Sequence, residues 1–194
     1  DVADEICDGA HEMGLPVHLD GARIFNAATA MKKPVAEIAR KFDSVMFCLS
    51  KGLCAPVGSM LVGSKAFIDK ARVFRKALGG GMRQAGVLAA AGLIALEKMP
   101  ARLQEDHDNA KLLAEGLAEI KGIKIDARKV RTNILVFSIT GAGMDTTEFS
   151  RNLAAQNVLA AGIDMEQMRF VTHHDVSRED CGKVLEAVRA ASSK

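Results

Sequence analysis

Three short apolar runs are separated by helix-patterned segments, and this alternation constrains the fold more than any other feature of the chain. The runs occupy residues 16–20, 44–49 and 58–62. Their apolar positions are consecutive rather than alternating, which is typical of strands buried on both faces of a sheet. The first half of the chain therefore predicts an α/β layer, a mostly parallel sheet flanked by helices. Because three strands make a thin sheet for such complete burial, we expect further strands upstream.

Helical periodicity surrounds these runs. Residues 2–13 repeat apolar side chains at helical spacing, and Gly14 follows as a plausible C-terminal stop. A second helix is predicted over residues 34–41, with Pro34 in its first turn. Ser64 is a good N-cap for a helix that ends near residue 77. Residues 84–98 are rich in Ala and Leu, and we expect a helix buried on nearly all sides.

The pattern changes near Met99, and we predict a domain boundary there, with domains at residues 1–99 and 100–194. Short strands and helices joined by polar links favour a smaller α+β second domain. Ser177 and Asp180 resemble a capping box. The predicted elements are a helix from Pro100 to about Gly122, strands at 123–125 and 132–139, a helix at 145–156, strands at 158–163 and 168–172, and a helix after Ser177.

Composition excludes several classes of function. The 194 residues include 26 basic and 24 acidic side chains, so nothing predicts nucleic acid or an anionic membrane as a partner. No apolar run approaches the ~20 residues that span a bilayer. The four cysteines lack CxxC spacing, and the five histidines lack paired metal-ligand spacing. We therefore predict no metal site, and reduced, mostly buried thiols in a cytoplasmic protein.

Three side chains stand where an α/β sheet binds ligands. Asp20 ends the first predicted strand, Arg23 follows three residues later, and Lys51 comes just after the second strand. Ligands bind outside the carboxyl ends of strands in open α/β sheets. A lysine amine can form a Schiff base with pyridoxal phosphate (PLP), and a carboxylate can keep the pyridine nitrogen protonated. Spacing alone favours a structural interpretation, in which Asp20 caps a turn, Arg23 pairs with it and Lys51 is a surface loop residue.

The residues that surround these three side chains favour a PLP site. The segments HLDGAR at 18–23, SVMFCLSKGLCAPVGSMLVG at 44–63, ALGGGMRQAG at 77–86 and RFVTHHDVS at 169–177 resemble the low-specificity L-threonine aldolases. These are fold-type I PLP enzymes of the β-eliminating lyase/threonine aldolase superfamily. The resemblance implies that residues 1–99 are the C-terminal part of a PLP-binding large domain and that residues 100–194 are the small α+β domain. The implied cofactor is pyridoxal 5'-phosphate.

The resemblance also implies roles for five residues. Lys51 matches the lysine that binds the cofactor covalently, and Asp20 matches the carboxylate that pairs with the pyridinium nitrogen. Arg23 matches the arginine near the cofactor's phenolic oxygen and the substrate carboxylate. Arg169 matches the small-domain arginine that binds the substrate carboxylate, a task suited to a planar bidentate donor. Arg83 matches an arginine that reaches the cofactor phosphate across a subunit interface, although by position it could be a surface arginine before a helix.

The implied reaction is retro-aldol cleavage of L-threonine or L-allo-threonine to glycine and acetaldehyde. The preference between these two substrates stays open. His173 and His174 are candidates by type for the base at the β-hydroxyl, but hydrogen bonding within a THHD turn is the favoured role. The small-molecule amino-acid substrate is the expected partner, and the family implies a homodimer or homotetramer.

The chain departs from the family pattern in two respects. It begins without Met and inside a helix, and the family's N-terminal phosphate loop, stacking ring and further histidine have no counterpart, so we expect a missing upstream part. Cys54 stands where the family usually has glycine, and a positive φ there would add strain of about 1 kcal/mol. Two hypotheses follow: a fragment of an active lyase, or a catalytically inactive truncated remnant. A related enzyme that performs β-elimination or racemisation is a third.

Overall fold

The structure is a computed structural model that describes residues 2–192, so Asp1 of the acidic N-terminal run lies outside the described residues. Contacts between Cα atoms divide the chain into two compact units, Asp1–Ala101 and Arg102–Lys194. We call these unit 1 and unit 2. The assignment of the two halves to a large PLP-binding domain and a small domain stays a prediction.

Unit 1 alternates helices with three strands. The sequence predicted α1, β1, α3, β2, β3, α4 and α5 but missed α2, because the apolar residues that follow Arg23 were not recognised as helical. The elements of unit 1 are α1 (Val2–Glu12), β1 (His18–Asp20), α2 (Ile24–Met31), α3 (Val35–Ala39), β2 (Ser44–Cys48), β3 (Ser59–Gly63), α4 (Lys65–Ala77) and α5 (Gly86–Glu97). Ser64 caps α4 as predicted, since its hydroxyl accepts from the Phe67 amide.

The sheet of unit 1 has the order β1-β2-β3. β1 is parallel to β2, with Asp20 opposite Met46. β3 is antiparallel to β2, with Cys48 opposite Ser59. The parallel pair requires a crossover through α2 and α3, as in other α/β layers. The two strands that precede the predicted ligand residues therefore end at the same edge of the sheet.

Burial differs from the prediction at β1, β3 and α5. His18 and Asp20 of β1 are exposed, and Leu19 is half-buried. All five residues of β3 are exposed, and α5 buries only Gly92 and Ala95 instead of nearly all its surface. Val87, Leu93 and Ile94 of α5 are more than half exposed. A run that is apolar on every side predicts burial, but burial also requires neighbours. Within residues 2–192, the neighbours of α5 cover one side only.

Unit 2 is an α+β layer in which helices cover one face of a three-stranded sheet of order β4-β6-β5. Both neighbouring pairs are antiparallel. The elements of unit 2 are α6 (Leu103–Ala118), β4 (Ile134–Ser138), α7 (Thr146–Ala154), β5 (Ala161–Gly162), β6 (Gln167–Val171) and α8 (Arg178–Ser192). Short 3-10 turns at Met99–Arg102 and Ala127–Lys129 connect elements.

Alternate residues of β4 and β6 form the core of unit 2. Leu135, Phe137, Met168 and Phe170 face the helices and are nearly or fully buried. The rings of Phe137 and Phe170 lie edge to face, with centroids 4.8 Å apart. The opposite face of the sheet, which includes Arg169, is exposed. One face of this sheet is therefore core, and the other is available for binding.

Two strand predictions in unit 2 were too long. The predicted strand at 123–125 is reduced to one bridge between Lys124 and Ser138, and that at 158–163 to Ala161–Gly162. The capping box is confirmed: the Asp180 amide donates to the Ser177 hydroxyl, and the Ser177 amide donates to the Asp180 carboxylate, both at 3.1 Å. Across residues 2–192 we find no helix with the length and apolar character that a membrane crossing requires.

Candidate functional site

A tight turn positions Asp20 and Arg23 at the end of β1. The Gly21 amide donates to the Met46 carbonyl at 2.9 Å, which extends the β1–β2 pairing by one residue. A side chain at Gly21 would place a Cβ 3.0 Å from that carbonyl oxygen, so only glycine fits without a shift. The glycine therefore allows the close approach of the neighbouring strand β2.

Polar groups of the same turn are ordered by short-range bonds. The Ala22 amide donates to Asp20 Oδ1 at 3.2 Å, and the Asp20 side chain is exposed. Arg23 is the residue before α2, is half-buried, and has a carbonyl that accepts from the Ala27 amide. Its position at the start of α2, three residues beyond Asp20, brings its backbone to the same edge of the sheet as Asp20.

The loop after β2 holds Lys51 between two buried leucines. Leu49 and Leu53 are 7% and 2% exposed, whereas Lys51 is exposed. The Leu49 amide donates to the Gly58 carbonyl at 2.9 Å, and the Ala55 amide donates to the Leu49 carbonyl at 3.0 Å. The loop is thus closed on itself while its lysine amine stays accessible.

Cys54 adopts a left-handed backbone conformation, with φ at 60°. This confirms the positive φ that was considered for this position. Its amide donates to the Lys51 carbonyl at 2.9 Å, so the strained residue closes the turn that carries the lysine. Its side chain is exposed, while Cys7, Cys48 and Cys181 are buried.

Asp43 orders the opposite edge of the same sheet, where β1 and β2 begin, and sequence reasoning missed it. Its carboxylate accepts from the Val17 amide at 2.7 Å and lies 2.9 Å from His11 Nε2. The Val17 amide and the His11 ring lower the pKa of Asp43 below its usual value. These contacts join the end of α1 to the start of β1. An aspartate directly before an apolar strand was the available signal.

Asp20, Arg23 and Lys51 lie around the carboxyl ends of the parallel strands β1 and β2. A primary amine, a carboxylate and a guanidinium are the donor set that PLP needs for covalent attachment, for its ring nitrogen and for its phenolic oxygen. The exposed amine of Lys51 and the exposed carboxylate of Asp20 leave both groups accessible. The residues present therefore fit this cofactor.

The two remaining predicted arginines lie in different units. Arg83 is exposed in a bend before α5 in unit 1. Arg169 belongs to unit 2, in the middle of β6, with Val136 and Ala161 beside it on the neighbouring strands. It lines an open cavity of about 510 Å³ whose walls are largely apolar, with Leu159 and Ile163 among them. A guanidinium on a largely apolar wall suits an amphiphilic carboxylate.

The two adjacent histidines both contact Asp175. The Asp175 amide donates to His173 Nδ1 at 3.3 Å, and His174 Nδ1 lies 3.0 Å from an Asp175 carboxylate oxygen. His174 is the first cause of the lowered pKa of Asp175. These contacts support hydrogen bonding as the role of the two rings. Among the described residues, no group of three or more His, Cys, Asp or Glu side chains could hold a metal ion.

Comparison with known proteins agrees with this geometry. The family model described as beta-eliminating lyase matches residues 1–140. Low-specificity L-threonine aldolase 1 of Arabidopsis thaliana is 44% identical over 94% of the chain and 51% of its own length. Low specificity L-threonine aldolase of Escherichia coli (strain K12) is 44% identical over 96% of the chain and 54% of its own length. The chain thus spans about half the length of these curated relatives.

Solved structures share the fold at lower identity. A protein of Exiguobacterium sp. 255-15, from the aromatic amino acid beta-eliminating lyase/threonine aldolase group, superposes with a TM-score of 0.80. It is 22% identical, and the match covers 96% of this chain and 55% of that one. This neighbour has the fold-type I architecture, which confirms the predicted fold class. Threonine aldolases are PLP-dependent lyases. The resemblance found in the motifs is therefore confirmed, and the chain belongs to the beta-eliminating lyase family.

Proposed function

We propose that this chain carries the lysine half of a PLP-dependent threonine aldolase site, which cleaves L-threonine or L-allo-threonine to glycine and acetaldehyde. The observation that carries the proposal is the placement of Asp20 and Lys51 after neighbouring parallel strands of one sheet. The similarity to threonine aldolases over more than nine-tenths of the chain supports the substrate class.

Each charged residue has one task in this proposal. Lys51 holds the cofactor through its amine, and Asp20 keeps a proton on the pyridine nitrogen. Arg83 is assigned to the cofactor phosphate, and Arg23 to the phenolic oxygen and the substrate carboxylate. Arg169 donates two parallel N–H bonds to the substrate carboxylate, which fixes the substrate's orientation. The bound cofactor supplies an electron sink for the charge that develops at Cα when the Cα–Cβ bond breaks.

The turn and the loop around these residues explain how their positions are maintained. Met46, through its carbonyl, holds the Gly21 turn that carries Asp20 and Arg23. Leu53, which is buried, fixes the loop that carries Lys51. Pre-positioned groups lower the cost of ordering the site when substrate binds. A homodimer or homotetramer and a cytoplasmic location are the assembly and compartment that we propose with this function.

Cofactor capture by Lys51 tests the proposal directly. The purified protein is mixed with PLP, and the visible absorption band of lysine-bound PLP is measured. Borohydride reduction followed by peptide mass spectrometry then locates the pyridoxyl group. We expect the label on Lys51 and its loss in Lys51→Ala, whereas Lys70→Ala, an exposed lysine of α4, keeps it. Acetaldehyde release from threonine is measured on unreduced portions of the same preparations, because borohydride fixes PLP to the lysine and stops turnover.

The outcomes separate the alternatives. A band with acetaldehyde formation supports the lyase. A Lys51-dependent band without acetaldehyde favours a PLP enzyme that performs β-elimination or racemisation. Absence of the band contradicts the proposal and favours the catalytically inactive remnant. A label that persists in Lys51→Ala contradicts the role proposed for Lys51.

A further inference from the structure

The strand that carries Arg169 ends in a buried polar cluster that the reaction does not use. Thr172 directly follows β6 and is 1% exposed. Its hydroxyl donates to the Asp106 carbonyl of α6 at 2.6 Å. Its amide donates to the Asn133 carbonyl at 3.0 Å, and the Asn133 side-chain amide donates to the Thr172 carbonyl at 2.8 Å. We call Arg102, Asp106, Asn133 and Thr172 the Thr172 network.

The network continues into the first turns of α6. The Asp106 side chain is fully buried, and Arg102 donates to both of its carboxylate oxygens, at 2.8 and 3.3 Å. One turn later, Asn109 donates to the Val176 carbonyl at 3.0 Å. The segment between Thr172 and Val176 is therefore tied to α6 at both ends.

Stability alone does not explain these polar groups. A buried ion pair is often no more stabilising than apolar residues of similar volume. Asn133 Oδ1 is buried without a hydrogen-bond partner among the described residues, which costs about 1–3 kcal/mol. The side chain of Asn133 therefore makes one hydrogen bond, to the Thr172 carbonyl, and leaves its own buried oxygen without a partner among the described residues. Asn133 is better explained by a need to hold the backbone at the end of β6 in one position than by packing.

The position that the network sets is that of Arg169. Met168 and Phe170 face the core, and Arg169 lies between them on the open face. A register shift of one residue in β6 would exchange these faces and bury the guanidinium. The contacts of Thr172 with Asn133 and Asp106 fix β6 against β4 and α6, three residues beyond Arg169.

We infer that Thr172, with Asn133 and Asp106, is a positioning residue that fixes Arg169 for the substrate carboxylate. This inference rests on the proposed function, since it takes the role of Arg169 from there. Thr172 borders the same cavity as Arg169, but it is 1% exposed and its hydroxyl donates to the Asp106 carbonyl, so it acts through the register of β6. The chemical target is the α-carboxylate of an amino acid.

The test compares Thr172→Val, which keeps the branched shape but loses the hydroxyl, with Thr172→Ser, which keeps the hydroxyl. In the PLP-loaded protein we expect Thr172→Val to raise the KM for threonine about tenfold, the equivalent of one hydrogen bond, with a smaller change in kcat. Thr172→Ser should restore the KM. The double variant Arg169→Ala/Thr172→Val should bind no worse than Arg169→Ala, because both changes act on one contact.

A second measurement does not need the cofactor. Hydrogen exchange followed by mass spectrometry reports the protection of β6 amides. We expect about tenfold faster exchange in β6 for Thr172→Val, unchanged exchange in α4 of unit 1, and recovery in Thr172→Ser. Unchanged exchange in β6 overturns the inference even when the protein binds no PLP.

The failures are distinguishable. If Arg169→Ala raises the KM but Thr172→Val does not, only the positioning inference is wrong. If Arg169→Ala leaves the KM unchanged, the proposed carboxylate contact is wrong and the inference falls with it. Additive effects in the double variant would assign Thr172 a purely structural role and also overturn the inference.

Discussion

The Cys54 amide donates to the Lys51 carbonyl at 2.9 Å, and Cys54 has a φ of 60°, so a strained residue closes the lysine turn. A non-glycine residue in this conformation costs about 1 kcal/mol. We expect Cys54→Gly to raise the free energy of unfolding by about that amount, measured by urea denaturation. Cys54→Ala keeps a Cβ and should gain nothing. A Cys54→Gly protein no more stable than Cys54→Ala would contradict the strain.

Cys54 should also be the first thiol to react with an alkylating reagent. Its side chain is exposed, whereas those of Cys7, Cys48 and Cys181 are buried. Burial raises the pKa of the Cys181 thiol, which lowers its thiolate fraction further. We expect one rapidly modified cysteine in the native protein, four in denaturant, and no rapid modification in Cys54→Ser. Rapid labelling of a second thiol in the folded protein would show that a buried site opens.

Gly21 should tolerate no side chain. A Cβ would lie 3.0 Å from the Met46 carbonyl oxygen and 3.3 Å from Ile24 Cβ. We expect Gly21→Ala to lower the free energy of unfolding by about 1–3 kcal/mol and to weaken PLP capture, because the turn carries Asp20.

The matched control for Gly21→Ala is Gly9→Ala. Gly9 is an exposed position of α1 where a Cβ would meet nothing within 4 Å. Alanine is favoured over glycine inside a helix, so this change should stabilise by about 0.5–1 kcal/mol. Equal responses to the two substitutions, in urea titrations, would refute the close approach at Gly21.

Acidification should destabilise the protein through His107. Burial lowers the pKa of this histidine below 6.5, and the carboxylates of Asp106 and Asp108 oppose the shift only in part. The unfolded chain therefore binds a proton at His107 more readily than the folded protein does. This destabilising effect is absent above about pH 6.5, where both states are neutral at this residue. The free energy of unfolding should fall as the pH drops from 6.5 through the folded pKa.

The control separates this effect from other titrations. His107→Gln should flatten the dependence between pH 6.5 and 5 relative to the unsubstituted protein. Denaturant titrations at several pH values measure both. An undiminished slope in His107→Gln would assign the dependence to other groups.

Removing one member of the Arg102–Asp106 pair should lower the free energy of unfolding much more than replacing both members with apolar residues. Asp106 is fully buried and Arg102 is 17% exposed at its side chain. Asp106→Leu leaves the partly buried guanidinium with Glu105, at 3.2 Å, as its remaining acidic partner and removes both bonds to Asp106, so we expect a loss of about 3 kcal/mol. The double variant Arg102→Met/Asp106→Leu removes both charges and should recover most of that loss. Thermal or urea unfolding of the three proteins decides, and a double variant as unstable as the single one would contradict this account.

Local signals in the sequence determined much of this protein. Residues 44–49 and 58–62 predicted strands, Ser64 and Ser177 predicted helix starts, and the motifs around Lys51 predicted the family. These features depend on neighbours within a few positions, namely side-chain periodicity, capping bonds and turn chemistry. The short helix α2 was missed because its eight residues offer little more than two turns of periodicity.

Only the tertiary structure decided which faces are buried and which polar groups meet. The periodicity of α5 predicted burial all round, but the described neighbours cover little of it. Thr172 lies 66 positions from Asp106 and 39 from Asn133, and no local pattern links them. The Met46 carbonyl that makes Gly21 necessary lies on the adjacent strand. Burial and long-range hydrogen bonds depend on residues that are distant in the chain, and local sequence patterns do not predict which of these residues come into contact.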